Sequence, residues 1–144
     1  MRISKYKKGQ VAVEALVIAT FVLLLMIPLL LMLLDRFFEI TQKFEIIKGK
    51  ILVSKITSSI NNVIAMGPNS SSKIEIELTD NLKNLTIGEK GGRIVEGIFE
   101  TTFGDIEIVG ITKKNVSGKL NISKKKQFLE IIHYENGTVL VSSS

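Results

Sequence analysis

An apolar run from Val11 to Leu34, broken only by Glu14, Thr20 and Pro28, limits what this chain can fold into. A bilayer's hydrocarbon core needs about 20 apolar residues as a helix, so the run is long enough to span it. A secretory h-region is shorter, about 7–15 residues, and ends at a small-residue cleavage site. Here the small residue, Gly9, lies before the run. It separates the run from a basic head that holds Arg2, Lys5, Lys7 and Lys8. A cut between Gly9 and Gln10 would remove the head and leave the apolar helix as the new N-terminus.

That head also explains the charge. The net charge of +5 resembles a nucleic-acid signal, but losing residues 1–9 takes away four cations and leaves +1. No nucleic-acid partner is expected. The head works instead as a positive-inside signal, which keeps the N-terminus in the cytoplasm and sends the rest outward.

Glu14 sits five residues into the mature run. A carboxylate in a membrane helix costs several kcal/mol by most scales, and such residues are functional by default. Two readings stay open. Glu14 lies at headgroup level and snorkels, or it meets a positive partner.

The stretch Lys7-Lys8-Gly9-Gln10-Val11-Ala12-Val13-Glu14 resembles the type IV pilin-like proteins of archaea, with a class III signal peptide. The family pattern is a basic leader ending in Lys-Gly, then Gln-x-Ser-x-Glu opening a hydrophobic helix. Ala12 stands where Ser is commonest, one small residue for another. The specific part covers Lys7 to Ile18, and the architecture covers the whole chain. The resemblance implies leader recognition at Lys7 and Lys8, cleavage between Gly9 and Gln10 by a prepilin peptidase, and assembly through Gln10 and Glu14. It implies that Glu14 pairs with the free α-amine of a neighbour's Gln10. It also implies partners: membrane lipid before assembly, copies of the chain afterwards, an assembly ATPase and a membrane platform protein. A minor or tip pilin that binds a substrate, and a signal-anchored surface protein that never polymerises, are the alternatives. An archaellin fits less well, because the helix opens Val-Ala-Val-Glu.

Beyond Leu34 the helix is expected to continue. Phe37, Ile40, Phe44, Ile47 and Ile51 recur at spacings of three and four, an apolar helical stripe. Ile56, Ile60, Val63 and Ile64 extend it with a slight drift. Gly67-Pro68 supplies the stop. The helix is therefore expected over residues 10–66, with 11–34 as membrane or filament core and 35–66 amphipathic. Pro28 removes one backbone hydrogen bond, so either a kinked or melted turn or a tolerated membrane proline is expected there.

After a polar linker at 67–72 the period changes from 3.6 to 2. Ile74, Ile76 and Leu78 alternate with Glu75 and Glu77, and similar runs follow to Val141. Glu135-Asn136-Gly137-Thr138 reads as a tight hairpin turn, with positive φ expected at Asn136. Gly88, Gly91-Gly92, Gly104 and Gly110 read as turns. The expectation is an α+β chain: a cleaved leader at 1–9, the long helix, and an antiparallel β domain of six or seven strands at 73–144. Alone, so small a domain has too little core, and the stripe from Phe37 to Ile64 is its expected missing half.

Five Asn-x-Ser/Thr sequons occur, at Asn69, Asn84, Asn115, Asn121 and Asn136. Eight asparagines would give roughly one by chance. All five follow the helix, on the side expected to be exported, so N-glycosylation is expected at some of them: at Asn84, Asn115 and Asn121, in or beside expected turns, and least at Asn136, which a tight turn with positive φ would hide.

Enzyme chemistry finds no footing. No Cys is present, which removes thiolate catalysis, disulfides and Cys-rich zinc sites. His133 is the lone histidine and reads as a packed or surface imidazole. Lys124-Lys125-Lys126 reads as a solvated turn, and Gly91-Gly92 lacks the spacing of a phosphate loop. No catalytic residue, metal ligand or cofactor is assigned.

Overall fold

A computed structural model describes residues 3–89 and 91–143, with side chains from Gly9 onward. The chain is α+β: one long helix, then a seven-stranded, mostly antiparallel sheet. Its contacts divide it into two compact units, Met1–Thr41 and Gln42–Ser144.

The helix α1 runs from Ile3 to Met66. It starts earlier than the expected Gln10 and contains Gly9. One glycine weakens a helix by only about 1 kcal/mol relative to alanine, too little to stop one that leads into a strong apolar run. The helix also continues through Pro28 with no melted turn. At its far end Gly67 takes φ 98°. That left-handed cap, followed by Pro68, ends the helix where the sequence places the stop.

The strands are β1 (Ser71–Glu77), β2 (Leu82–Ile87), β3 (Ile94–Thr101), β4 (Gly104–Ile111), β5 (Val116–Lys119), β6 (Lys126–His133) and β7 (Val139–Ser143). They form one sheet in the order β1-β6-β7-β5-β2-β3-β4. The expected all-antiparallel pairing fails once: β5 and β7 are parallel, Val116 opposite Val139. The cause is topological. β7 returns from its hairpin with β6 and inserts between β6 and β5.

The β6–β7 turn forms where expected, but its positive φ lies at Gly137, φ 82°, and not at Asn136. Gly110 is no turn either. It lies inside β4, where an added Cβ would collide with Thr57 Oγ1 and Val53 of the helix. Gly97 of β3 is likewise crowded by Val53 and Phe99. These strand glycines let the helix approach the sheet backbone, which is a packing requirement and not punctuation.

The core lies between the sheet and the last part of the helix. Leu52, Val53, Ile56, Ile60 and Val63 are buried against Ile76, Leu85, Ile87, Val95, Phe99, Val116, Leu129, Ile131, Val139 and Val141. The expected stripe is therefore corrected. Phe37, Ile40, Phe44, Ile47 and Ile51 are exposed. At 3.6 residues per turn, Ile47 lies about 180° around the helix from Ile56. The drift along the sequence is a change of face.

Polar side chains tie the helix to both edges of the sheet. Lys55 Nζ donates to the Glu75 carbonyl of edge strand β1 at 2.7 Å. Asn61 Nδ2 donates to the Ile111 carbonyl of edge strand β4 at 3.5 Å. Asn61 Oδ1 accepts from the Lys113 N–H at 2.9 Å. Less economical is Gln127 of β6, which is buried with neither amide atom partnered among the described residues.

Three outcomes follow for the full chain in detergent micelles, read by thermal or denaturant unfolding of the β unit. Ile56→Ala should cost about 2–5 kcal/mol, since it opens a cavity at a fully buried site. Ile51→Ala, one and a half turns away, should stay within about 0.5 kcal/mol. Gln127→Leu should be neutral or stabilising by about 1 kcal/mol, because it removes the desolvated amide. A clear loss of stability in Gln127→Leu would mean that the amide is satisfied.

Candidate functional site

The described part of the first unit is helix, and its apolar side chains are bare. From Val11 to Leu34 every large apolar side chain is exposed. The helix is long and apolar enough to cross a membrane. Two threonine hydroxyls are folded back: Thr20 Oγ1 donates to the Leu16 carbonyl at 2.8 Å, and Thr41 Oγ1 to that of Phe37 at 3.0 Å. This i−4 bonding lets a hydroxyl ride in an apolar helix without an outside partner.

Glu14 is exposed on this helix. Gln10 Nε2 donates to Glu14 Oε1 at 3.4 Å, one turn apart. Helical spacing thus gives the carboxylate a weak, neutral donor from its own chain. The side chains of Lys7 and Lys8, expected to serve leader recognition, lie outside the described residues, as do Met1 and Arg2. Gly9 is helical, so a peptidase acting at Gly9–Gln10 must first unwind that turn.

The sequons separate by structure. Asn84 lies within β2 at a register shift, opposite Ile98 of β3. Asn121 follows β5, with Oδ1 accepting from the Ser123 N–H at 3.0 Å. Asn69 has φ 63°, and its Nδ2 donates to Glu135 Oε1 at 2.9 Å. Asn115 precedes β5, with Oδ1 accepting from Arg93 Nε at 3.4 Å. Asn136 lies in the β6–β7 turn. All five are exposed.

His133 is buried where the helix ends. Its Nδ1 lies 2.8 Å from the Gly67 carbonyl and its Nε2 lies 3.2 Å from Lys114 Nζ. A carbonyl only accepts and an ammonium only donates. A neutral ring with the proton on Nδ1 satisfies both, so the imidazole fastens β6 to the helix cap. No sequence signal marked Lys114 as its partner, because 19 residues separate them.

A cleft of about 760 Å³ opens beside the helix, lined by Glu45, Lys48, Lys55, Thr79, Asp80 and Lys125. Acids and bases alternate around it. Lys125 Nζ lies 2.8 Å from Asp80 Oδ1, so one member of the lysine triplet is paired. That ammonium, by hydrogen bond and by charge, holds the Asp80 carboxyl below its ordinary value, and Asp80 raises Lys125 in return. On the sheet, Asp105 acts on Lys83 in the same direction. Among the described residues no group of three His, Asp or Glu side chains could hold a metal ion.

The Asp80 pair gives a pH dependence of known sign. A carboxyl depressed in the folded state stabilises above its unfolded pKa, and that contribution is lost as pH falls through the folded value. The pair is solvent-exposed, so the stability effect is small. An NMR titration should place the Asp80 midpoint below that of a model carboxyl near 3.8, and Lys125→Gln should return it. An unchanged midpoint in Lys125→Gln would remove the pairing.

Comparisons with protein-family models, curated proteins and solved structures find no match to this chain.

Proposed function

We propose that this chain is the structural subunit of an extracellular filament of the type IV pilus kind. One observation carries the reading: the large apolar side chains from Val11 to Leu34 lie bare, with Glu14 the single carboxylate among them, and Phe44, Ile47 and Ile51 lie bare further along. Before assembly, lipid covers residues 11–34, with the N-terminus cytoplasmic and the β unit outside. A prepilin peptidase removes residues 1–9. Gly9 suits that bond, because glycine makes local unwinding cheap. An assembly ATPase and a membrane platform protein then move the subunit from lipid into a fibre.

The physics of that transfer is an exchange of apolar solvents. Lipid is as apolar as leucine, so moving Val11–Leu34 from lipid to neighbouring helices changes the hydrophobic energy little. Close packing and charge pairing must favour the fibre. The face formed by Phe44, Ile47 and Ile51 adds a contribution that lipid does not offset. It lies beyond the membrane-length run, so covering it with another copy takes apolar area out of water.

Glu14 sets the register. In the isolated chain it has only the Gln10 amide. In a fibre the α-amine that cleavage creates on a neighbour's Gln10 would pair with it, and a subunit out of step would leave both charges unpaired. A non-polymerising surface anchor would need neither the carboxylate nor the second apolar face.

Glu14→Gln separates these readings. It keeps size and removes charge, which is harmless or helpful in a lone membrane anchor. In a filament it leaves a buried amine unpaired, at about 3–5 kcal/mol. The expected result is a mature chain whose mass begins at Gln10, a folded β unit, and few or no filaments by electron microscopy. Filaments in normal number would reduce Glu14 to an interfacial passenger. A mature mass that retains residues 1–9 would overturn the processing step.

A further inference from the structure

The fold gathers sequons that the sequence scatters. Asn69 follows the helix, Asn115 precedes β5, and Asn136 lies in the β6–β7 turn. Backbone bonds bring them to one end of the sheet. The His133 N–H donates to the Ser70 carbonyl at 2.9 Å, and the Asn69 N–H to the His133 carbonyl at 2.8 Å. These lay the segment after the helix against one side of the β6–β7 turn. On its other side the Val139 N–H donates to the Asn115 carbonyl at 3.1 Å. The remaining two sequons lie elsewhere: Asn84 within the paired strand β2, and Asn121 past the opposite end of β5.

Asn136 is the best presented of the five. Its Oδ1 accepts from the Thr138 N–H at 3.0 Å and from the Thr138 hydroxyl at 2.6 Å. The turn therefore holds the asparagine and the hydroxyl of its own sequon together at the surface. The Asn136 Nδ2 has no partner among the described residues, whereas Asn69 Nδ2 is bonded to Glu135. Presenting Asn136 to a transferase involves a turn and no strand, while Asn84, though exposed, lies within the β2–β3 ladder.

We propose that this end of the β unit is a glycan-bearing cap, with Asn136 the leading acceptor and Asn115 and Asn69 flanking it. The donor class is a sugar linked through its anomeric carbon to a lipid phosphate. One N–H of Asn136 Nδ2 is replaced by a bond from nitrogen to the anomeric carbon. The bond from that carbon to the phosphate oxygen breaks, the lipid phosphate leaves with the electron pair, and the amide proton passes to water. Nothing is oxidised or reduced. A cap placed here keeps sugar off the bare helix face of Phe44, Ile47 and Ile51. The proposal rests on the reading that the β unit is exported.

The test maps glycopeptides by mass spectrometry, with fragmentation that retains the sugar, on protein recovered from its native cells. Protease accessibility of the β unit is read on the same intact cells. The expected result is sugar mass on the Asn136 peptide and on at least one of the Asn69 and Asn115 peptides. Thr138→Ala should lose all sugar from Asn136 while the other sites keep theirs, and Thr138→Ser should retain it. A bare Asn136, sugar confined to Asn84 and Asn121, or sugar that persists in Thr138→Ala would overturn the cap. Bare peptides from a protease-accessible β unit overturn the cap alone. Bare peptides from a protected β unit overturn both the cap and the export on which it rests.

Discussion

The contact of Leu52, Val53, Ile56, Ile60 and Val63 with one face of the sheet is the interaction on which the β unit depends. The strands of a unit this small cannot bury enough surface among themselves. The helix supplies the other wall of the core, and Gly97 and Gly110 let it come close. It also reaches past the core to both sheet edges, through Lys55 at β1 and Asn61 at β4. Unpaired edge strands invite pairing with other chains. Here one helix partners a carbonyl at each edge, so the element that fills the core also guards the margins.

A second consequence concerns what the helix does not bury. A helix that packs on a sheet through one stripe normally turns a polar face to water. Between Phe44 and Ile51 this one turns three apolar residues outward beside the exposed Lys48 and Lys50. In the first unit it has no polar face over the length of the apolar run. Side chains of this kind are stable in water only when something covers them. Lipid can cover the first unit, and copies of the chain could cover both. The proposed filament accounts for the two bare surfaces together, whereas a simple membrane anchor accounts only for the first.

A bonded polar group lies where the helix ends. His133, Gly67, Ser70 and Lys114 form one bonded group there. A buried imidazole with one donor and one acceptor partner is satisfied in a single tautomer, which makes it a specific fastener and not a generic hydrophobe. The same end carries three of the five sequons. Order at the cap and exposure of the asparagines have one cause: the linker after the helix is held by β6, so the loops around it stand out from a fixed base.

Local rules decide local features, and these were legible in the sequence: the membrane-length helix and its stop at Gly67-Pro68, the change of period after the linker, and the turn around Gly137. Apolar periodicity and turn chemistry act over a few residues, so they can be read from a few residues. The hydrogen bond from Gln10 to Glu14 was within reach too, because helical spacing alone sets residues four apart side by side. Contacts across long sequence separations were not. The parallel pairing of β5 with β7 depends on where β7 inserts, and no local pattern encodes an insertion. The stripe from Phe37 to Ile64 looked continuous because spacings of three and four tolerate drift. Only the position of the sheet decided that Ile56 faces in and Ile51 faces out. Gly110 reads as a turn in sequence and proves to be a strand residue that makes room for Thr57. The partnership of His133 with Lys114 and the gathering of Asn69, Asn115 and Asn136 at one end follow from the same cause, since strand order, and not sequence distance, sets which residues become neighbours.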